Sequence, residues 1–337
     1  MSRLSFTAAG LTAALCVASS FAAAQTLRFA HVDPADWTTS KKGAAAQIFK
    51  NLIEAETQYT VDLYPAGSLG NEDDLINGTM DGTITISMVS GSYANFCPAA
   101  AVTDIPYAFP SAPIAWDVLD GEFGQALADH CLNETGLRTL AYGETGYRHF
   151  TNSVRTIQYP EDMRGLRFRV QTIPLYLEMV RGLGAEPQGI AWGEVPTALA
   201  TGVVDGQENP ISVIYGNNFY EFQKFLTLDG HVYGVDHILI SEDFYQTLSP
   251  NDQAAFRRAA RVAGTVGRAI QQFGSADGVA KLAERGMEVT TPTAAQLGAF
   301  RDAAQPPVVS YLRGELGSDA VWIDNLLSAV NAAAERQ

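Results

Sequence analysis

The folded part of the chain begins with alternating strand and helix patterns. Short apolar or alternating segments at 27–30, 60–64 and 84–88 have the two-residue period of β-strands. Between them, 45–53 places apolar side chains on one helical face, and 71–80 is typical of a second helix. This β-α-β-α-β order predicts a parallel sheet wrapped by helices.

The second half of the chain has the same alternation. A helical turn is predicted at 160–163, a strand at 166–170, and helices at 176–183 and 194–200. The DGQENP segment at 205–210 is interpreted as a polar turn, because Asp, Gly, Asn and Pro are all common turn residues.

Two features farther along the chain favour two lobes over one. The segment 231–240 predicts a long strand that could join the lobes. Ser249 and Pro250 have the pattern of an N-cap and a first-turn proline, and they open a long Ala-rich helix toward Phe273. We therefore expect an α/β protein with two lobes.

Composition narrows the choice of partner. The 337-residue chain has 22 Lys and Arg residues against 37 Asp and Glu residues, a formal net charge of −15. Nucleic acids and anionic lipid surfaces attract basic faces, so neither is expected as a partner. With 18% charged and 47% apolar residues, the composition is typical of a folded globular protein.

Residues 1–24 have the three parts of a secretory signal peptide. Arg3 is the only charge, an apolar stretch covers 11–17, and 20–24 are mostly small residues that suit cleavage before Gln25. The apolar stretch is shorter than the about 20 residues that a bilayer-spanning helix needs. We therefore expect an exported protein that is free in its compartment after cleavage.

Two cysteines, Cys97 and Cys131, remain after the predicted cleavage, in an oxidising compartment. Their even number favours a disulfide, and two buried thiols are the alternative. The bond would close a loop of roughly 34 residues and stabilise the fold by about 3–4 kcal/mol in the chain-entropy model. No metal site is expected, since His130 and Cys131 would diverge on a helix and CxxC and HExxH motifs are absent.

The sequence contains no recognisable catalytic motif. GxSxG, the Walker loop and a complete GxGxxG are all absent, and the five histidines are scattered without an evident nucleophile. Carboxylates are numerous enough to supply a glycosidase-type pair, but their number alone is no evidence for one. We predict neither enzymatic activity nor a cofactor.

Two arginines are suited to binding an anion instead. Arg169 lies within the apolar strand predicted at 166–170, where a guanidinium needs a partner, and its planar fork matches a carboxylate. Arg148 is a second candidate, and the alternative for each is a salt bridge to an Asp or Glu of this acidic chain. Strand alternation puts Arg167 on the same face as Arg169 and does not choose between them.

Several short blocks of sequence carry a resemblance. They are YP at 64–65, SLG at 68–70, IPYAF at 105–109, GLRFRV at 165–170, LGA at 183–185, Glu194, GVVDGQENP at 202–210 and FYEFQKFL at 219–226. In this order and spacing they resemble the solute-binding proteins of TRAP transporters, the DctP family, over essentially the whole mature chain. The DGQENP block is highly specific for that family.

The resemblance implies a set of ligand-binding residues. Arg169, rather than Arg167, corresponds to the arginine that makes a bidentate carboxylate contact. Asn209 would support the same carboxylate, and Arg148 would line the pocket. Trp192 would stack on the ligand, and the remaining candidate contact is Glu72.

Several of these positions have a structural alternative. Asn209 could cap the following turn, Trp192 could pack in the core, and Glu72 could stabilise the start of a helix through the helix dipole. His31 and Asp236 are weaker candidates, at positions where chains of the family approach the cleft.

The resemblance also implies a two-lobed periplasmic binding protein fold, with an interlobe cleft, crossing strands and a long helix in the C-terminal half. Lobe I would comprise 25–145 and 235–274, and lobe II 146–234 and 275–337. The lobes would close on a small organic acid without turning it over.

The expected protein is a periplasmic monomer that delivers its ligand to a small and a large integral membrane subunit. The alternatives are a binding protein for an ABC importer, against which the DGQENP block argues, a ligand sensor that docks on a receptor, and a secreted enzyme. The identity of the organic acid is left open.

Overall fold

A computed structural model describes residues 25–337, so the predicted signal peptide lies outside the described residues. The strands are β1 (Thr26–Ala30), β2 (Thr60–Tyr64), β3 (Ile86–Val89), β4 (Leu137–Asn152), β5 (Arg167–Val170), β6 (Glu186–Gly189), β7 (Gly206–Pro210), β8 (Phe225–Ser241) and β9 (Glu288–Thr290). The helices are α1 (Lys41–Glu56), α2 (Glu72–Met80), α3 (Ala112–Asp120), α4 (Glu122–Thr135), α5 (Pro174–Gly182), α6 (Val195–Ala200), α7 (Ile211–Gly216), α8 (Glu242–Thr247), α9 (Pro250–Glu284), α10 (Ala294–Leu316) and α11 (Val321–Glu335). Short 3₁₀ helices include Pro98–Asp104, Pro160–Met163 and Trp192–Glu194.

The strands form one mixed sheet, in the order β2-β1-β3-β8-β4-β7-β5-β6, with β9 added beside the start of β8. At one end β1 pairs in parallel with β2 and β3, and at the other β5 pairs in parallel with β6 and β7. Between these groups, the long strands β4 and β8 run antiparallel to each other. The α/β prediction is therefore confirmed, and the two parallel groups are joined through the β4–β8 pair.

The helix α9 spans both parts of this sheet. It contacts α1 at one side and α7 at the other, and it crosses β4 between them. Its 35 residues correspond to about 50 Å at 1.5 Å per residue. The helix approaches β4 closely at Gly146, which has a φ of +99° and where an added Cβ would lie 2.3 Å from the amide nitrogen of Gln271. Gly146 thus provides both the backbone conformation and the space that this crossing requires.

Most predicted elements are present, with shifts at their ends. The strand β2 has the predicted bounds, and Asn71 caps α2 with a side-chain bond to the amide of Asp74. The predicted strand at 231–240 extends to Phe225–Ser241, and α9 continues past Phe273 to Glu284. The lobe boundaries stay a prediction.

The prediction of a polar turn at 205–210 is wrong. Residues Gly206–Pro210 form β7, a fully buried strand between β4 and β5. Buried polar side chains are stable when they are hydrogen-bonded, and here they bond to neighbouring strands. The amide of Gln207 donates to the Thr151 hydroxyl at 2.7 Å, and Glu208 accepts from Arg148 at 2.8 Å.

The predicted disulfide between Cys97 and Cys131 is confirmed, with an S–S distance of 2.00 Å. It joins the start of the 3₁₀ helix Pro98–Asp104 to α4. His130 and Glu134 lie close to Cys97, but the oxidised sulfur is not a thiolate and this trio makes no metal site. Within residues 25–337, no helix has the length and apolarity needed to cross a membrane.

Candidate functional site

A cavity of about 170 Å³ lies where several strands end. Its walls come from the loops after β1, β3 and β5, from the end of β7, and from the first turns of α1 and α2, with β4 contributing side chains at its middle. This is the usual position of ligand sites in α/β sheets. The lining residues include all five predicted site residues, Glu72, Arg148, Arg169, Trp192 and Asn209.

Arg169 is a buried cation without an anion. It is 2% exposed, and its Nε and Nη2 donate to the carbonyl of Ile190 at 2.9 and 2.7 Å. Within the described chain, no carboxylate oxygen lies within 4 Å of its guanidinium. Burial, aided by nearby Arg148, lowers the pKa of Arg169 to about 10, so the group remains charged at neutral pH. Such a cation, open to a cavity, is a site for an anion.

Arg167 has the opposite environment. It is half-exposed on the same strand and pairs with Asp205, with an Nη2–Oδ1 distance of 2.7 Å. Alternation along β5 could not separate the two arginines, whereas the structure gives Arg167 an ion pair and Arg169 a place in the cavity wall.

Arg148 lines the same cavity, but the salt-bridge alternative holds for it. Its Nε and Nη2 donate to the two carboxylate oxygens of Glu208, and Nη2 also donates to Asn209 Oδ1 at 3.2 Å. Burial opposes the charge of Arg148, but Glu208 raises the pKa of the guanidinium above its usual range. Burial also opposes the charge of Glu208, and Arg148 nonetheless lowers its pKa to about 2. The pair is therefore fully ionised at neutral pH.

Glu208 has a second buried cation beside it. The ring of His231 places Nε2 3.2 Å from Glu208 and Nδ1 2.8 Å from Asp229. Burial lowers the pKa of His231, but Asp229 outweighs this effect and raises it above its ordinary value. Two carboxylate neighbours favour the doubly protonated imidazolium.

Asn209 is a strand residue rather than the cap of a turn. Its amide donates to Gln207 Oε1 at 2.6 Å, and its carbonyl oxygen accepts from Arg148. Because β7 lies between β4 and β5 in the sheet, Asn209 stands between the strands that carry the two cavity arginines.

Trp192 both lines the cavity and packs against the core, the two roles that the sequence left open for it. The indole lines the cavity, with its centroid 5.8 Å from Arg169 Cζ. It also packs against Phe219, with ring centroids 5.8 Å apart, at the edge of a buried apolar cluster. The ring thus forms a fixed flat wall beside the unpaired guanidinium.

Glu72 is at once the first residue of α2 and a lining residue of the cavity, so both the helix-start role and the pocket role fit its position. Its carboxylate accepts from Lys42 Nζ at 2.7 Å and from the amide of Ser90 at 2.9 Å. Burial opposes the charge of Lys42, but Glu72 and then Asp236 raise the pKa of its ammonium above the usual range. Glu72 is therefore an ion-pair partner before any ligand binds.

Lys41 and Lys42 are lining residues that the sequence analysis missed. Both are buried, and Lys41 Nζ lies 2.6 Å from Asp33 and 3.8 Å from Asp236. A signal for them was available, because two cations in the first turn of a helix oppose its dipole and require acidic partners. Asp33 lies in the loop after β1 and also lines the cavity.

The two weaker candidates do not line the cavity. His31 is buried, and burial lowers the pKa of its imidazole to about 4, so the ring is neutral. Asp236 is fully buried beneath the cavity, where it accepts from Thr145 and Ser90 at 2.6 and 2.7 Å.

Comparison with known proteins identifies the family. Residues 29–313 match the model of DctP, described as bacterial extracellular solute-binding protein, family 7. The chain belongs to this family. The 2,3-diketo-L-gulonate-binding periplasmic protein YiaO of Escherichia coli is 34% identical over 286 residues, covering 84% of this chain and 85% of YiaO.

Solved structures agree with this assignment to the DctP family. The sugar acid binding protein DctPAm of Advenella mimigardefordensis, in complex with galactonate, is 31% identical with a TM-score of 0.86, covering 92% of this chain and 99% of that one. A TRAP periplasmic solute-binding protein of Polaromonas sp. JS666, bound to D-erythronate, is 33% identical with a TM-score of 0.83, covering 90% and 98%. These neighbours confirm the predicted two-lobed binding-protein fold and the TRAP-type solute-binding family.

Proposed function

We propose that this DctP-family protein captures a small sugar acid in the periplasm, with the ligand carboxylate bound by Arg169. The observation that carries the proposal is the buried Arg169 guanidinium, which faces the cavity and has no carboxylate partner within the described chain. A bidentate carboxylate would satisfy it in the geometry that guanidinium groups favour. A relative named for binding diketogulonate, and two related structures with bound galactonate and D-erythronate, support a sugar acid as the ligand class.

The remaining lining residues have distinct roles in this proposal. Arg148, held by Glu208, supplies further positive potential, and Asn209 offers an amide between the two arginines. Trp192 packs flat against the ligand skeleton. Glu72 and its Lys42 partner bond to hydroxyl groups at the other end of the cavity.

Delivery follows from the family. The ligand would be enclosed between lobe I, 25–145 and 235–274, and lobe II, 146–234 and 275–337, as the lobes close around the cavity. The mature monomer, exported by a signal peptide at 1–24 that is then cleaved, would dock on the two integral membrane subunits of a TRAP transporter. Membership of the DctP family supports this route over an ABC importer. The cycle is binding and release, without chemical turnover.

Calorimetric titration of the mature chain tests the proposal. D-galactonate, D-erythronate, D-glucuronate and acetate are titrated into protein that has been unfolded, dialysed and refolded to remove any ligand retained from expression. At least one hydroxylated acid is expected to bind in the micromolar range or tighter, about −8 kcal/mol, with acetate much weaker.

Arg169→Lys is the matched variant, because it keeps a positive charge and loses the planar fork. We expect at least a tenfold weaker affinity for the preferred acid, about 1.4 kcal/mol. Unchanged affinity in this variant would contradict the role of Arg169, and conversion of the acid during incubation, followed by NMR, would indicate the enzyme alternative.

A further inference from the structure

The cavity has a basic end and an acidic end. At the basic end, three cations, Arg148, Arg169 and His231, face two carboxylates, Glu208 and Asp229. All five are buried on four consecutive strands of the sheet, β8, β4, β7 and β5. This end therefore carries one uncompensated positive charge, at the guanidinium of Arg169.

Asp104 is the other ionisable carboxyl at the basic end. It accepts from the Tyr176 hydroxyl at 3.2 Å, and burial raises its pKa to about 7. In its neutral form it leaves the positive charge of Arg169 in place. One ligand carboxylate thus neutralises this end, and a second one there would be in excess.

The acidic end has the reverse balance. Two cations, Lys41 and Lys42, lie among three carboxylates, Asp33, Glu72 and Asp236. The lysines lower the pKa of Asp33 to about 2, and that of Asp236 is lowered as well, against the opposing effect of burial. All three carboxylates bind these ammonium groups, so this cluster holds one negative charge and offers no free cation to an anion.

Asp73 adds a further negative charge to the acidic end. It lines the cavity in the first turn of α2, and no Lys or Arg nitrogen of residues 25–337 lies within 4 Å of its carboxylate. Among the described residues, the only side-chain hydrogen bond to its carboxylate is a long one of 3.4 Å from Asn95, which also reaches the carbonyl of Thr172 in the loop after β5. Burial, followed by Glu72, raises the pKa of Asp73, as expected for a carboxylate without a cation.

The uncharged lining of this end suits hydroxyl groups. Ser90, Ser92, Thr145 and Asn71 supply groups that can both donate and accept, and Gln171 lies at the loop after β5. A hydroxylated ligand can donate to Asp73 and exchange bonds with these side chains, whereas a carboxylate can only accept.

We propose that the cavity selects an acid with one carboxylate and an uncharged, hydroxylated far end, and that Asp73 rejects ligands with a second carboxylate at that end. The inference rests on the proposed function, since it takes the first carboxylate to be bound by Arg169. Asp73 is a specificity-determining residue in this reading, because it repels the wrong ligand more than it attracts the right one.

Matched pairs of acids test the selection. Galactonate and galactarate, gluconate and glucarate, and erythronate and meso-tartrate differ only in oxidation of the terminal carbon. Calorimetry at pH 6.0, below the pKa of Asp104, on the refolded mature chain is expected to give at least about tenfold weaker binding of the diacid in the pair that binds best. Equal affinities within that pair would overturn the proposed selection.

Two aspartate variants locate the cause. In Asp73→Asn the preference for the monoacid is expected to fall by about fivefold or more, chiefly through tighter binding of the diacid. Asp302→Asn, which removes the same charge from an exposed site on α10, leaves the preference unchanged. A preference that is the same in Asp73→Asn and wild type would overturn the assignment to Asp73. If none of the six acids binds wild-type protein, it is the proposed function that fails.

Discussion

Two arginines in one cavity wall are expected to respond in opposite ways to the same substitution. Methionine replaces the charge of either residue with an apolar side chain of similar length. Arg148 is bound by the carboxylate of Glu208, whereas Arg169 has only the carbonyl of Ile190 as a partner within residues 25–337. The free energy of unfolding and the ligand affinity therefore separate their roles.

Arg148→Met leaves Glu208 buried without its strongest partner. Breaking a buried ion pair by removing one member costs about 3–5 kcal/mol, and His231, which still faces Glu208, places the expected loss near 3 kcal/mol. A loss of this size lowers the melting temperature by roughly 5 °C for a chain of this length.

Arg169→Met removes a buried cation that has no carboxylate partner among residues 25–337. The variant loses two hydrogen bonds to Ile190, about 1 kcal/mol each, and regains the desolvation cost of the charge. We expect its unfolding free energy to lie within about 1 kcal/mol of wild type or above it. Ligand affinity should fall by about 2–5 kcal/mol, or roughly 30-fold to several thousandfold.

Urea unfolding of ligand-free protein, followed by tryptophan fluorescence, gives the stability of each variant, and calorimetry with the preferred acid gives its affinity. The expected result is a destabilised Arg148→Met and a stable, non-binding Arg169→Met. If Arg169→Met loses as much stability as Arg148→Met, the guanidinium is a structural group and the assignment of an anion site to it is wrong.

Four further predictions follow from the buried charges and the disulfide. Ligand affinity should fall as pH rises from 6 to 8, because ionisation of Asp104 near its pKa of about 7 adds a negative charge beside Arg148, and Asp104→Asn should flatten a calorimetric pH series. Between about pH 4 and 7, Asp104 is protonated in the folded protein and ionised in the unfolded chain, so the free energy of unfolding should fall as pH rises through this range. Urea titrations of Asp104→Asn should lack this loss. Lys42→Met leaves Glu72 and Asp236 short of a cation and should cost about 3–5 kcal/mol in urea unfolding, whereas exposed Lys281→Met should cost less than about 1 kcal/mol. Replacing Cys97 and Cys131 together with serine should cost about 4 kcal/mol, since the bond closes a 34-residue separation.

Local periodicity was sufficient for the elements with ordinary patterns. The strand β2 and the start of α9 at Pro250 were predicted at their observed positions, since alternation and an N-cap followed by proline are local signals. The strand β4 was not predicted, because Arg138, Glu144 and Arg148 interrupt its apolar pattern. Each of these charges has a partner elsewhere in the chain, which a local pattern does not contain.

At the candidate site, too, some residues could be predicted from the sequence and others depend on tertiary contacts. Its five predicted residues line one cavity, but the resemblance, rather than strand alternation, selected Arg169 over Arg167. Lys41 and Lys42 were missed because their acidic partners are brought together only by the fold, from the loop after β1, the interior of β8 and the start of α2. Sequence alone indicates which charges need partners, and the tertiary structure determines which of them lack one.

The buried polar strand β7 explains why one cavity arginine is paired and the other is not. It separates the strands that carry Arg148 and Arg169, and it provides one carboxylate, Glu208, for two guanidinium groups. Glu208 turns toward Arg148 and is held there by His231, so within residues 25–337 the side-chain hydrogen bonds of Arg169 go only to the backbone carbonyl of Ile190. If β7 carried only apolar side chains, both arginines would lack an anion. If β7 carried a second acidic residue beside Arg169, that carboxylate would occupy the position proposed for the ligand carboxylate. The single glutamate of DGQENP thus fixes one arginine in the fold and leaves the other for the carboxylate of the ligand.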